Sequence, residues 1–129
     1  MATKISPTKP LLKFTVKRSR WRRGGTGQTS LLILGSAMCC LGFYCRQAGL
    51  SSKAIYDQPM PSAALADVHE LHRISPKLTR YNGRRGWYDT QLCWDVADAN
   101  DDSKLDQTMR EAKLKKLFEK AGITVKFVP

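Results

Sequence analysis

The chain has 129 residues, room for one domain, and its apolar fraction of 42% is that of an ordinary globular protein. That balance argues against a disordered chain and against a disulfide-stapled miniprotein. The 22 Lys and Arg against 11 Asp and Glu give a formal net charge of +11. Such a field attracts nucleic acid, an anionic membrane or an acidic protein surface, and says nothing of the fold.

The charge is unevenly placed. Residues 1–23 hold eight basic side chains and no acidic one, whereas residues 90–129 balance at seven and seven. Residues 1–10, with Pro7 and Pro10, read as a flexible basic arm, followed by a single small domain over 11–129. Leu12, Phe14 and Val16 alternate with Lys13, Thr15 and Lys17, the period-2 pattern of a strand with one apolar face. A glycine loop (Gly24, Gly25, Gly27) ends it, and Leu31–Leu34 read as a second short strand.

Ser36 is placed to cap a helix over 37–48, whose Ala37, Met38, Leu41, Tyr44, Cys45 and Ala48 recur at helical spacing, with Gly49 as its stop. So little charge in it predicts burial. Residues 50–64 read as a connector with a helical turn at Ser52–Asp57, stopped at Pro59 and Pro61. Leu65, Val68, Leu71 and His72 suggest a short helix ending before Pro76. Residues 77–90 read as irregular, basic and aromatic. Leu92, Trp94 and Val96 alternate as in a strand, and Asp98–Asp102 as a polar turn. Ser103 and Asp106 form a capping-box pattern ahead of a helix over 104–121. Its expected stripe is Leu105, Met109, Ala112, Leu117, Phe118 and Ala121, with Arg110 and the lysines off it and Gly122 as its stop. Ile123, Val125 and Phe127 give a last strand.

The expected fold is α+β: a small antiparallel or mixed sheet of three to four strands, with the two main helices packed on one face. The polar strand positions Lys13, Thr15, Lys17, Thr124 and Lys126 then face solvent.

Cys39, Cys40, Cys45 and Cys93 are an even count, which allows two disulfides in principle. Adjacent cysteines in one helix rarely bond, and three of the four lie in an apolar stretch. Buried, reduced thiols in a reducing cytosol are the expectation. The apolar run Leu31–Cys45 spans 15 residues, short of the ~20 a membrane span needs. Neither a secretory cleavage site nor a full twin-arginine signal accompanies it.

Met38-Cys39-Cys40-Leu41-Gly42-Phe43, the Trp21–Gly24 segment, and the ending Arg110-Glu111-Ala112-Lys113-Leu114 with Leu117-Phe118, Gly122-Ile123 and Val125–Val128 resemble a family of small bacteriophage and bacterial proteins. These pieces cover under half of the chain. The resemblance implies a phage setting and a cytoplasmic location in the bacterial host cell. It implies no mechanism.

Chemical motifs fall short one by one. Gly24–Thr29 approaches a phosphate-binding loop, but Gln28 stands where the lysine belongs and Arg22 where the first glycine does. Asp98, Asn100, Asp102 and Asp106 approach a calcium loop, but Ser103 replaces its turn glycine and Met109 its bidentate glutamate. His69 and His72 have no zinc spacing around them, and no nucleophile–base pair emerges. No catalytic residue, metal or cofactor is expected.

The basic residues carry the functional reading. Lys13, Lys17, Arg18, Arg20, Trp21, Arg22 and Arg23 combine phosphate-neutralising charge with an aromatic able to stack on a base, and Arg84, Arg85 and Trp87 repeat the combination. The expectation is a non-enzymatic accessory protein that binds nucleic acid, or a nucleoprotein complex, through this N-terminal segment. The alternative is a protein-binding inhibitor of a host enzyme or defence system, its partner an acidic or nucleic-acid-bound host protein.

Overall fold

A computed structural model describes residues 9–24, 31, 37–66 and 71–129. Residues 1–8 of the expected 1–10 arm, the Gly25–Ser30 part of the glycine loop, the strand beyond Leu31, and Val68, His69 and Glu70 lie outside them; the expected Ser36 cap is corrected, since α1 begins at Cys40 with Cys39 at its N-cap. The described elements, in order, are β1 (Lys13–Lys17), α1 (Cys40–Gln47), α2 (Ser52–Ile55), α3 (Pro61–Ala66), β2 (Thr79–Asn82), β3 (Gly86–Asp89), α4 (Gln91–Asp101), α5 (Gln107–Glu119) and β4 (Thr124–Val128). A short 3-10 turn, Arg18–Arg20, follows β1.

The α+β class stands, but the expected sheet of three to four strands does not. Among the described residues there are two sheets of two strands each. In one, β1 and β4 lie parallel, Phe14 beside Val125 and Val16 beside Phe127. All four side chains are buried, while Lys13, Lys17, Thr124 and Lys126 are exposed, as the alternation required. The outer edge of β1 is closed by a side chain. The Gln47 amide accepts from Thr15 N–H at 2.9 Å and donates to Thr15 C=O at 2.7 Å, standing in for a third strand. The other sheet is an antiparallel hairpin of β2 and β3.

Helix α1 is the centre of the core. Cys40 to Cys45 are all buried, because the chain offers no charge there before Arg46 and the helix is enclosed on every side. Gly42 is required by packing: a Cβ there would lie 1.9 Å from the Leu31 carbonyl oxygen. Phe14 meets Tyr44 and Phe118 edge-on at 5.2 and 4.9 Å between ring centres, and Tyr44 and Phe118 lie tilted at 6.3 Å, joining β1, α1 and α5. Burying each such ring stabilises the fold by about 2–3 kcal/mol.

Several local expectations are corrected. Residues 91–101, read partly as a strand and partly as a turn, form α4, capped by Thr90, whose hydroxyl accepts from Cys93 N–H. Its buried face, Cys93, Val96, Ala97 and Asn100, has helical spacing. The alternation of Leu92, Trp94 and Val96 is incidental, and Trp94 is exposed. Pro61 starts α3 rather than stopping a turn, the first helical position being one where its missing N–H costs nothing. Asp106, not Ser103, caps α5, accepting from Met109 N–H at 2.8 Å. Met109 is 54% exposed, while Arg110 is buried. The Arg110 guanidinium bonds the Asp102 and Leu105 carbonyls, which fixes the α4–α5 turn. Gly122, at φ 73°, ends the α5 turn and lets β4 fold back. Among the described residues no helix is long and apolar enough to cross a membrane.

Candidate nucleic-acid interface

Half of the N-terminal basic segment is built into the fold. The Trp21 indole is 5% exposed and packs against Phe127 at 4.9 Å. Its N–H donates to Asn100 Oδ1 at 2.7 Å. The ring expected to stack on a base is therefore enclosed. Arg18 makes a two-pronged ion pair with Glu111 at 2.7 and 2.8 Å. This bond raises the Arg18 pKa and holds the Glu111 carboxyl below the usual carboxylate range. Arg23 lies over the Trp21 ring at 4.5 Å and donates to Gln107 and to the Trp21 and Arg18 carbonyls. Arg22 is half-buried and within electrostatic reach of Asp101. Lys13, Lys17 and Arg20 remain exposed.

The hub of this strapping is Asn100. Its Oδ1 accepts from Trp21 Nε1 and, at 3.0 Å, from Cys40 N–H. Its Nδ2 donates to the Arg22 carbonyl and to Asp101, each at 2.9 Å. The same residue's main-chain carbonyl accepts from Gly24 N–H. One buried amide thus ties the N-terminal segment, α1 and α4 together, and its oxygen is not available as a cation ligand. Asp106 serves as a helix cap and Asp102 accepts from Lys104 N–H. Among the described residues no three His, Cys, Asp or Glu side chains are grouped to hold a metal ion.

The second basic group is arranged differently. In the hairpin, Tyr81 sits opposite Trp87 and Arg80 opposite Tyr88. Trp87, half-buried, packs on the core and meets His72 and Tyr81 edge-on, each at 5.2 Å. Arg80 and Tyr88 occupy the other face, and Tyr88 is 39% exposed. At the tip, Asn82 Oδ1 accepts from Arg84 N–H, an Asx turn that sets both Arg84 and Arg85 outward. The acid of the hairpin, Asp89, is turned inward, taking hydrogen bonds from Ser62 and Thr79. No carboxylate among the described residues therefore neutralises Arg80, Arg84 or Arg85.

Arg80, Tyr81 and Tyr88 were not among the expected contact residues. The Asn82-Gly83 dipeptide, a strong hairpin signal between strands, was the clue available for them.

All four cysteines are free and buried. Burial pushes Cys39 up to about 11 and also raises Cys40, Cys45 and Cys93.

No family model, curated protein or solved structure matches the chain.

Proposed function

We propose that this protein is a non-enzymatic nucleic-acid-binding accessory protein whose contact surface is centred on the β2–β3 hairpin. The observation that carries the reading is the hairpin's composition in space. Arg84 and Arg85 at the tip and Arg80, which also donates to the Pro76 carbonyl, carry no neutralising acid among the described residues, and the exposed ring of Tyr88 shares the Arg80 face. Arginines on a two-stranded ribbon meet phosphates, and tyrosine faces stack on bases regardless of sequence. Lys13, Lys17 and Arg20 add positive field from β1 and the turn after it. Arg18, Trp21 and Arg23 act as structural residues that hold this segment on α4 and α5. The phage setting and bacterial cytoplasm rest on the resemblance of the MCCLGF and C-terminal segments.

The test is a fluorescence-anisotropy titration of the full chain against labelled single-stranded and duplex DNA and RNA at low salt. Binding to any of them supports the reading. Binding to none of them replaces it with the inhibitor reading, in which the same arginines meet an acidic protein surface.

A further inference from the structure

The two edges of the β1–β4 sheet are treated differently. In a parallel pair, alternate residues of each strand bond the neighbour and the rest point away. Thr124 N–H bonds the Leu12 carbonyl. With Lys13 in register with Thr124, the ladder to β1 is carried by Thr124, Lys126 and Val128. The N–H and C=O groups of Val125 and Phe127 therefore point to the far edge. The corresponding groups on β1 are those of Thr15, and the Gln47 amide satisfies both. Val125 and Phe127 have no such plug: among the described residues nothing bonds their outward main-chain groups. A shallow depression of about 320 Å³ runs beside this edge, lined by Lys115 and Glu119 of α5 and by Ile123, Thr124 and Val125.

We infer that the free edge of β4 accepts an extended segment of another protein as a third strand, one that alternates apolar and acidic side chains. Unpaired main-chain groups on an edge are a template for such addition, and the pockets beside it select alternate side chains. The partner's inward side chains would enter the depression against Ile123 and Val125, which favours apolar residues. Its outward side chains would lie beside Lys126, on a face that also carries Lys13 and Lys17, which favours acidic ones. A second copy of the chain fits poorly. Pairing β4 with itself in antiparallel register about Lys126 sets Lys126 opposite Lys126, and like charges across a strand pair are destabilising. This edge lies on β4 and not on the hairpin, it shares only Lys13 and Lys17 with the proposed nucleic-acid surface, and its test uses no nucleic acid.

The probe is an acetylated, amidated octapeptide alternating valine and glutamate, added to the isotope-labelled full chain, with amide hydrogen exchange read by NMR. In the free protein Val125 and Phe127 should exchange at least about tenfold faster than Thr124 and Lys126, whose amides are bonded. The peptide should slow Val125 and Phe127 selectively. A valine–lysine counterpart should not, and the Lys126→Glu variant, an exposed change, should reverse the preference.

Three results overturn the inference. Val125 and Phe127 already slow in the free protein at every concentration would mean the chain covers its own edge. Slowing that grows with protein concentration would mean a second copy does. Equal protection by both peptides, or by neither, would remove the acidic partner.

Discussion

The indole N–H of Trp21 and the side-chain oxygen of Asn100 meet at 2.7 Å in the buried core, although the two residues are 79 positions apart. This bond anchors the basic segment that follows β1 in the fold. Arg18 and Arg23, beside Trp21, are engaged with the fold, whereas Arg84 and Arg85 at the hairpin tip are exposed.

Replacing Asn100 by Ala should therefore be costly. It strands the Trp21 and Cys40 donors and the Arg22 carbonyl in a site closed to water. The expected loss is about 3 kcal/mol, or a fall of about 10 °C in melting temperature. Asn100→Asp keeps the size but loses both donors and sets a second carboxylate beside Asp101, so its deficit should shrink as the pH is lowered. Thermal melts at two pH values check both.

Gly42→Ala gives a change whose sign decides between propensity and packing. Helix propensity alone would favour alanine by about 1 kcal/mol. A Cβ 1.9 Å from the Leu31 carbonyl oxygen must instead displace backbone. A net destabilisation of about 2 kcal/mol or more is expected from overpacking. Denaturant unfolding of this variant measures it.

The thiols should react only as the protein opens. Burial raises all four, with Cys39 at about 11, so near pH 8 little thiolate exists and none of it is reachable. Native labelling by a thiol reagent should be slow and should accelerate with denaturant. Rapid labelling of Cys39 or Cys40 in the native protein would point to an accessible nucleophile.

The Arg18–Glu111 pair predicts a particular acid limb. The carboxyl of Glu111 is lowered in the folded state, first by the Arg18 bond and next by Gln107. Its stabilisation is complete above the unfolded value of about 4.3 and is lost as the pH falls through the lower folded value. The stability gap between wild type and Glu111→Gln should be constant near neutrality and close below about pH 4. Asp101, which burial raises, works in the opposite direction but cancels in this difference.

How far the sequence could be read depended on which signal each element carries. β1, β4 and α1 were legible because their apolar spacing and burial agree. α4 was misread because its buried face includes Ala97 and Asn100, which hydropathy does not score as core. Arg110 was placed off the buried stripe of α5 for a similar reason: its burial depends on two carbonyls of the preceding turn, a tertiary fact. The parallel pairing of the first and last strands joins residues more than a hundred positions apart, and nothing local encodes it. Of the expected contact residues, Lys13, Lys17, Arg20, Arg84 and Arg85 are exposed, and Trp21 and Trp87 are engaged with the core. A Trp beside arginines has the same local pattern whether it stacks on a base or on its own protein.

The most direct test of the account is the salt dependence of nucleic-acid affinity for the wild type and for an Arg80→Ala, Arg84→Ala, Arg85→Ala variant. Each phosphate contact contributes a log–log slope of about −0.9 on duplex and about −0.7 on single strands. Three hairpin contacts therefore give about −2.7 or −2.1. The variant should lose most of that slope while keeping its melting temperature, since all three side chains are exposed. Tyr88→Ala should weaken single-strand binding by about 1–3 kcal/mol and leave the slope alone. A wild-type slope that the triple variant leaves unchanged, or one removed instead by changing Lys13, Lys17 and Arg20 to Ala, would contradict the hairpin as the contact surface.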